Sequence, residues 1–253
     1  MRTLTAIIIA MLMAATVTAQ TKQEFDIKNF NSINLNAGAK VTITQGKKYK
    51  VRAEYNLPEG QELIVGKNEK TLVIRTKNGN KPTREHHYLN FYITMPDLKS
   101  IESKGAIDLT LNKMKVDDLN IKSSGAADIE IEELSCDNLF INQNGAADIE
   151  GTIRCKGNAA INTNGAGDYS LDINANGFSL NTNGASEAEV IFTGMSCTIS
   201  SNGASEIELT TECESLSCES RGSSRTNIKG TADITKIKSH GASKINTSML
   251  NQF

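Results

Sequence analysis

A glycine followed by alanine or serine recurs from residue 105 onward at nearly constant spacing. The first three intervals between these glycines are 20 residues and the last four are 19, with the glycines at Gly105, Gly125, Gly145, Gly165, Gly184, Gly203, Gly222 and Gly241. Such a period over so many repeats is the signature of a solenoid, in which each repeat forms one coil and buries its apolar face by stacking on its neighbours.

Apolar and polar residues alternate on both sides of each glycine. The positions four and six residues away are mostly apolar in both directions, as with Ile121 before Gly125 and Ile129 after it. Alternation with period two is typical of a half-buried strand. Each repeat therefore predicts a strand, a sharp Gly-Ala corner, a second strand and a variable return segment. Glycine suits the corner because it adopts positive φ without steric penalty.

Two architectures fit this pattern. Asparagine often precedes the corner glycine, as at Asn164 and Asn183, and Asn-Gly between alternating strands also signals a hairpin, which would give an antiparallel meander. A constant period with side chains repeated column by column is instead what stacked coils require, and stacked asparagines can hydrogen-bond from coil to coil. We predict an all-β protein built as a parallel β-helix of about 19–20 residues per coil.

The chain divides into three parts. In residues 1–19, Arg2 precedes the apolar run AIIIAMLMAA and small residues follow to Ala19, which predicts a secretory signal peptide. Residues 20–100 lack the period, but alternating segments such as KVTITQG predict a β-rich N-terminal region packed on the solenoid. Residues 101–253 contain the repeats, and we expect SMLNQF to cap the last coil.

The predicted signal peptide places the protein outside the cytoplasm. No later segment approaches the run of about 20 apolar residues that crosses a bilayer, so we expect no transmembrane segment. We predict an exported protein of the periplasm, the outer surface or the extracellular space.

Charged residues stand three positions after each corner glycine. The first six form what we call the acidic ladder, namely Asp108, Asp128, Asp148, Asp168, Glu187 and Glu206, and Arg225 and Lys244 continue the column. Two positions further on, the same face carries Glu130, Glu150, Glu189 and Glu208. Stacked coils would bring like charges to about 4.8 Å, where each pair repels by about 0.9 kcal/mol in water. The column is a solvated face, a Ca²⁺-binding strip or a surface for a basic partner.

Composition and motifs exclude several functions. The net charge of −2 shows no basic excess, so we expect no nucleic-acid partner. Arg225 and Lys244 beside carboxylates are residue types with which β-helical lyases abstract a proton, but no other motif marks a cleft. We therefore predict no catalytic residues and, apart from Ca²⁺, no cofactor. Cys136 and Cys155 fall in return segments, where stacking either pairs them or leaves them as free thiols.

Nearly the whole mature chain resembles a known family. The segment FNSINLNAGAKVTITQG, the strand ITMPDLKSIES and the following Gly-Ala corners with Asp or Glu and Ile are similar to the auto-transporter adhesin head GIN domain family. The resemblance implies a secreted β-helical domain with an adhesive role and without established catalytic residues.

These observations favour a non-catalytic, exported β-helical protein that offers a binding or adhesive surface to glycan or protein partners. Two alternatives stay open: a carbohydrate-active lyase or hydrolase, and a structural subunit that forms homo-oligomers through its coil ends.

Overall fold

A computed structural model describes residues 21–77 and 87–252, so the predicted signal peptide lies outside the described residues. This part of the chain contains strands and no α-helix, and the strands form one 17-stranded sheet. They are β1 (Thr21–Phe25), β2 (Ser32–Asn36), β3 (Ala39–Gln45), β4 (Lys50–Asn56), β5 (Glu62–Asn68), β6 (Thr71–Lys77), β7 (Tyr88–Met95), β8 (Ser100–Lys104), β9 (Ile107–Leu111), β10 (Met114–Lys115), β11 (Asp118–Ser124), β12 (Ala127–Cys136), β13 (Asn138–Asn144), β14 (Ala147–Cys155), β15 (Asn158–Gly222), β16 (Arg225–Ser239) and β17 (Lys244–Asn251).

Successive coils stack as parallel strands. Ile121 of β11 lies opposite Ile141 of β13, and Asp128 of β12 lies opposite Asp148 of β14. A meander of hairpins would need antiparallel neighbours, so the rival architecture is wrong and the predicted all-β, parallel β-helix is confirmed. Strand β15 is exceptionally long because it continues without interruption through the corners at Gly165, Gly184 and Gly203.

Alternating side chains fill the interior of the solenoid. The apolar columns around each glycine point inward, and Ile121, Ile129 and Ile141 are each only 1% exposed. Burying one such side chain stabilises the fold by about 1.5–3 kcal/mol relative to leaving it in water. Cys197 and Cys218 occupy the same columns and are also buried, so they pack as small apolar groups.

The N-terminal region is β-rich, as predicted, and it also contributes coils of its own. Strands β2 and β3 stack in parallel on β8 and β9, with Lys40 opposite Asp108. Strands β6 and β7 stack in turn on β2 and β3, with Val41 opposite Phe91. The sequence period does not reveal these coils because Lys40 and Asp108 are 68 residues apart.

Antiparallel strands close the N-terminal end of the solenoid. Strand β4 pairs with β7 and β1 pairs with β4, while β5 pairs with β6. These additions pair with strand edges of the first coil that would otherwise be open to other chains. At the other end, residues 248–251 form the last part of strand β17, which pairs with β16, and the expected cap from SMLNQF stays a prediction.

Candidate binding surface: the corner groove

The corner glycines pack against one another along the solenoid axis. Those of the repeats all have positive φ, from 75° at Gly241 to 147° at Gly165. A Cβ on Gly145 would lie 2.2 Å from the carbonyl oxygen of Gly125, and one on Gly165 would lie 2.0 Å from that of Gly145. Glycine is therefore required both by backbone conformation and by the close approach of successive coils.

Asparagines line the strand side of this corner. Asn183 donates to Asn164 at 2.8 Å, and Asn202 donates to Asn183 at 3.1 Å. The expected coil-to-coil hydrogen bonds are confirmed. Among the non-glycine residues in the described part of the chain, only Asn29 and Glu69 have positive φ. The corner glycines therefore adopt this conformation, and the asparagines before them do not.

A shallow groove follows the residues just after the glycines, and we call it the corner groove. Its floor is the exposed column of small residues, Ala106, Ala126, Ala146, Ala166, Ala185, Ala204, Ser223 and Ala242. One section of about 780 Å³ extends from Ala146 to Lys244. A second section of about 420 Å³ extends from Gly38 to Asp148 and shares Ala146 and Asp148 with the first. The groove is thus continuous along the solenoid.

The acidic ladder lines this groove as a column in register. Asp128 lies opposite both Asp108 and Asp148 in the neighbouring coils, and Asp148 lies opposite Asp168. Glu187 and Glu206 line the same section of the groove as Asp168. The structure therefore places all six predicted residues along one surface.

Limited burial and like charges raise the pKa of one member of this column, Asp128. Burial raises the pKa of Asp128, and the carboxylates of Asp108 and Asp148 add to the increase. Both effects disfavour the charged carboxylate. A cation beside Asp128 would relieve this repulsion.

Basic residues stand at both ends of the ladder. Lys40 Nζ lies 2.9 Å from Asp108 Oδ2, and this hydrogen bond raises the pKa of Lys40. At the far end Arg225 Nη1 lies 3.5 Å from Glu206 Oε1, and Lys244 follows Arg225 in register. Arg225 and Lys244 thus continue the column, and Arg225 forms an exposed ion pair of small energetic weight.

Lys40 is a member of the column that sequence reasoning missed. It follows the segment NAGA, in which the order of the first alanine and the glycine is reversed relative to the Gly-Ala pairs of the later repeats. The reversed Ala-Gly pair could have revealed that Lys40 belongs to the column. Lys40 occurs three positions after Ala37, just as Asp108 occurs three positions after Gly105.

The second predicted column runs beside the ladder. Glu130 lies opposite Glu150, and Glu150 lies opposite Ser170, which interrupts the acidic series. Glu208 accepts a hydrogen bond from Asn227 Nδ2. Together with Glu189, these side chains widen the exposed acidic face next to the groove.

Among residues 21–77 and 87–252, His, Cys, Asp and Glu side chains form no group of three or more that could hold a metal ion. Ca²⁺ binding by the ladder therefore stays a prediction that would require carbonyl oxygens, water or the ligand itself as additional donors. The described residues also contain no helix of the length and apolarity needed to cross a membrane.

Comparisons with known proteins agree with the architecture. The family model "Putative auto-transporter adhesin, head GIN domain" matches residues 29–193. A crystal structure described as a putative adhesin from Bacteroides fragilis shares 22% identity, with a TM-score of 0.63 over 94% of this chain and 98% of the other. None of the curated proteins matches the chain.

Two other solved structures have the same fold. One from Parabacteroides merdae, described as a putative adhesin, is 16% identical, with a TM-score of 0.71 over 90% of this chain and 95% of the other. One from Parabacteroides distasonis, described as a putative lipid binding protein, is 19% identical, with a TM-score of 0.63 over 90% and 96%. These identities support the fold alone, whereas the family model covers well over half of the chain. The protein belongs to the auto-transporter adhesin head GIN domain family.

Proposed function

We propose that the protein is an exported, non-catalytic binding module that holds an extended, positively charged partner segment along the corner groove. The observation that carries this proposal is the acidic ladder, whose side chains stand in register along a continuous groove. A stack of parallel strands holds these groups at a fixed spacing of about 4.8 Å. Little conformational freedom is then lost on binding, which favours affinity.

The charge of the groove favours a basic protein segment over a glycan. Its floor consists of alanine and serine, and Tyr88 is the only aromatic residue that lines either section within the described part of the chain. Lysine and arginine side chains complement a row of carboxylates. Glycan recognition, including a Ca²⁺-bridged form, is the alternative outcome that the experiment must distinguish.

The proposed export rests on the signal peptide expected in residues 1–19 and on membership of an adhesin family. An adhesive role outside the cytoplasm also suits the solenoid, because its long exposed face repeats one binding geometry coil after coil.

The test measures binding of the mature protein to an oligolysine peptide, a matched oligoglutamate peptide and a panel of neutral and acidic polysaccharides. Each titration is run at two salt concentrations and with Ca²⁺ or a chelator. We expect saturable binding of oligolysine that weakens as salt is added, because surface charge interactions are screened. Polysaccharide samples are also assayed for new chain ends.

A triple variant, Asp148→Asn with Asp168→Asn and Glu187→Gln, removes the middle of the ladder. The matched control, Glu24→Gln with Glu59→Gln and Glu62→Gln, removes the same charge at exposed positions outside the groove. We expect binding about tenfold weaker in the ladder variant, since a few exposed ion pairs together contribute about 1.4 kcal/mol. If both variants lost the same affinity for the peptide, the loss would come from the change in net charge and not from the groove, which would contradict the proposal.

Two other results would also overturn it. Binding of a polysaccharide with no response to the ladder variant would place the ligand on another surface. New polysaccharide chain ends that disappear in Arg225→Ala or Lys244→Ala would establish the lyase or hydrolase alternative instead.

A further inference from the structure

Two cysteines of neighbouring coils lie side by side beneath the surface. Cys136 ends β12, Cys155 ends β14, and the two residues are directly opposite each other in the parallel register. Their Sγ atoms are 2.6 Å apart, and the residues are only 4% and 6% exposed. Both are thiols in this structure.

A β-bulge in β12 places these two cysteines opposite each other in the register. Cys136 is eleven residues after Gly125, but Cys155 is only ten after Gly145. The register shifts between Ile131 and Leu134, so β12 accommodates one extra residue at its two exposed glutamates, Glu132 and Glu133. Without this bulge the two cysteines would be one position out of step and would point in opposite directions.

The backbone geometry suits a covalent bond. Neighbouring strands are about 4.8 Å apart, and disulfides join Cα atoms separated by about 4.4–6.8 Å. The Sγ separation therefore needs only a small rotation of the side chains to reach bonding distance. The other register partners differ, since Cys213 faces Ala232 and Cys218 faces Ile237 in the next coil.

We propose that Cys136 and Cys155 form a disulfide in the exported protein, linking two successive coils of the solenoid. The oxidant is a second disulfide, either of a small thiol or of a thiol oxidoreductase, as oxidising compartments supply. One protein thiolate attacks the oxidant disulfide and releases one thiol. The other protein thiol then displaces the second half of the oxidant, so that two protein thiols become one disulfide and the oxidant becomes two thiols.

The pair borders a surface groove through which an oxidant can approach. The groove has a volume of about 970 Å³, and its charged lining residues are Lys115, Arg154, Lys156, Asp97, Asp117 and Asp137. The two thiols share one hydrogen bond in which either sulfur can be the donor. Whichever cysteine loses its proton first is therefore stabilised as the nucleophilic thiolate by the thiol of the other.

The bond would close a ring around one complete coil. The 19-residue separation of the two cysteines includes the corner at Gly145 and the ladder residue Asp148. Oxidation would therefore prevent this coil from separating from its neighbour.

The experiment oxidises the folded, fully reduced protein with glutathione disulfide and then alkylates it under denaturing conditions. We expect the intact protein to lose the mass of two hydrogen atoms before alkylation and to accept label at three cysteines, that is, five minus two. Trypsin cuts after Arg154 and Lys156, so the dipeptide Cys155–Lys156 should appear linked to the peptide that contains Cys136 and should separate from it on reduction.

Variants identify the pair. Cys136→Ser and Cys155→Ser should each leave the four remaining cysteines open to alkylation, whereas Cys218→Ser should keep the link and leave two. Circular dichroism verifies that each variant is folded. Five alkylated cysteines in the oxidised wild-type protein, a glutathione adduct without the internal link, or a link between other cysteines would each overturn the proposal.

Discussion

The carbonyl oxygen of Gly125 lies 2.2 Å from the point where a Cβ of residue 145 would stand. The corner of one coil thus occupies the space that any side chain on the next corner would need. Because Gly145 also has a φ of 126°, two separate constraints act on the same residue, and they can be measured separately.

Gly145→Ala should destabilise the protein by about 2–5 kcal/mol, since a positive φ costs roughly 1–2 kcal/mol and overpacking adds about 1–3 kcal/mol. Gly105→Ala should cost only the conformational part, because a Cβ there meets nothing within 4 Å among the described residues although φ is 102°. Gly66→Ala has neither constraint and is the control. Urea unfolding measures all three, and equal losses at positions 105 and 145 would contradict the packing argument.

Asp128→Asn should stabilise the protein at neutral pH. It removes a carboxylate whose pKa is raised by burial and by Asp108 and Asp148, and like charges opposite each other cost about 0.2–1 kcal/mol. A carboxyl group whose pKa is higher in the folded than in the unfolded protein destabilises the folded state at pH values above the folded pKa. This destabilisation disappears as the pH falls toward the pKa of the unfolded chain, about 3.9, because the group is then protonated in both states. The advantage of the variant should therefore fade on acidification.

Thermal unfolding of the wild type and Asp128→Asn between pH 7 and pH 4 measures this effect. Glu59→Gln, at an exposed position outside the ladder, is the control for a general change in charge. An advantage for Asp128→Asn that persists unchanged at low pH would contradict the electrostatic explanation.

Two buried serines near the corner should respond differently to removal of the hydroxyl. Ser220 Oγ lies 3.1 Å from both Ser201 Oγ and Thr226 Oγ1, so Ser220→Ala should lose about 1–2 kcal/mol for two hydrogen bonds. Within the described part of the chain the buried hydroxyl of Ser205 has no hydrogen-bond partner. Ser205→Ala should then be neutral or stabilising, because replacing an unpaired buried group removes its desolvation cost. Equal losses in urea unfolding would show that Ser205 is also satisfied, for example by buried water.

The proposed disulfide predicts a stability difference between the oxidised and reduced protein. For a loop of about 20 residues the chain-entropy model predicts about 3 kcal/mol in favour of the oxidised form. Urea unfolding with and without reductant measures the difference, and Cys136→Ser should abolish it. A difference that survives in this variant would have to come from another cysteine.

The repeated corner is the part of the fold that was most predictable. Its period depends on local chemistry: glycine at the bend, small residues after it, and apolar residues alternating with polar ones. The acidic ladder follows from the same period, because residues at equal offsets lie opposite each other in stacked coils. Lys40 escaped this reasoning because the insertion of strands β4 to β7 separates it from Asp108 in sequence but not in space.

The cysteine pair shows where sequence reasoning ends. Offsets of eleven and ten residues from the corner left open whether Cys136 and Cys155 meet, and the bulge in β12 decides that they do. A bulge forms where one strand carries a residue that its partner lacks, so its position depends on the pairing of two segments.

The amino-acid sequence by itself therefore determined the all-β class, the coil length, the inward columns and the line of charges, because each of these depends on residues within one repeat or on the repeat period. The tertiary structure decided which non-periodic segments join the stack, how its ends are covered and which cysteines meet. These features depend on pairing between residues far apart in the chain, and local patterns do not specify such pairing.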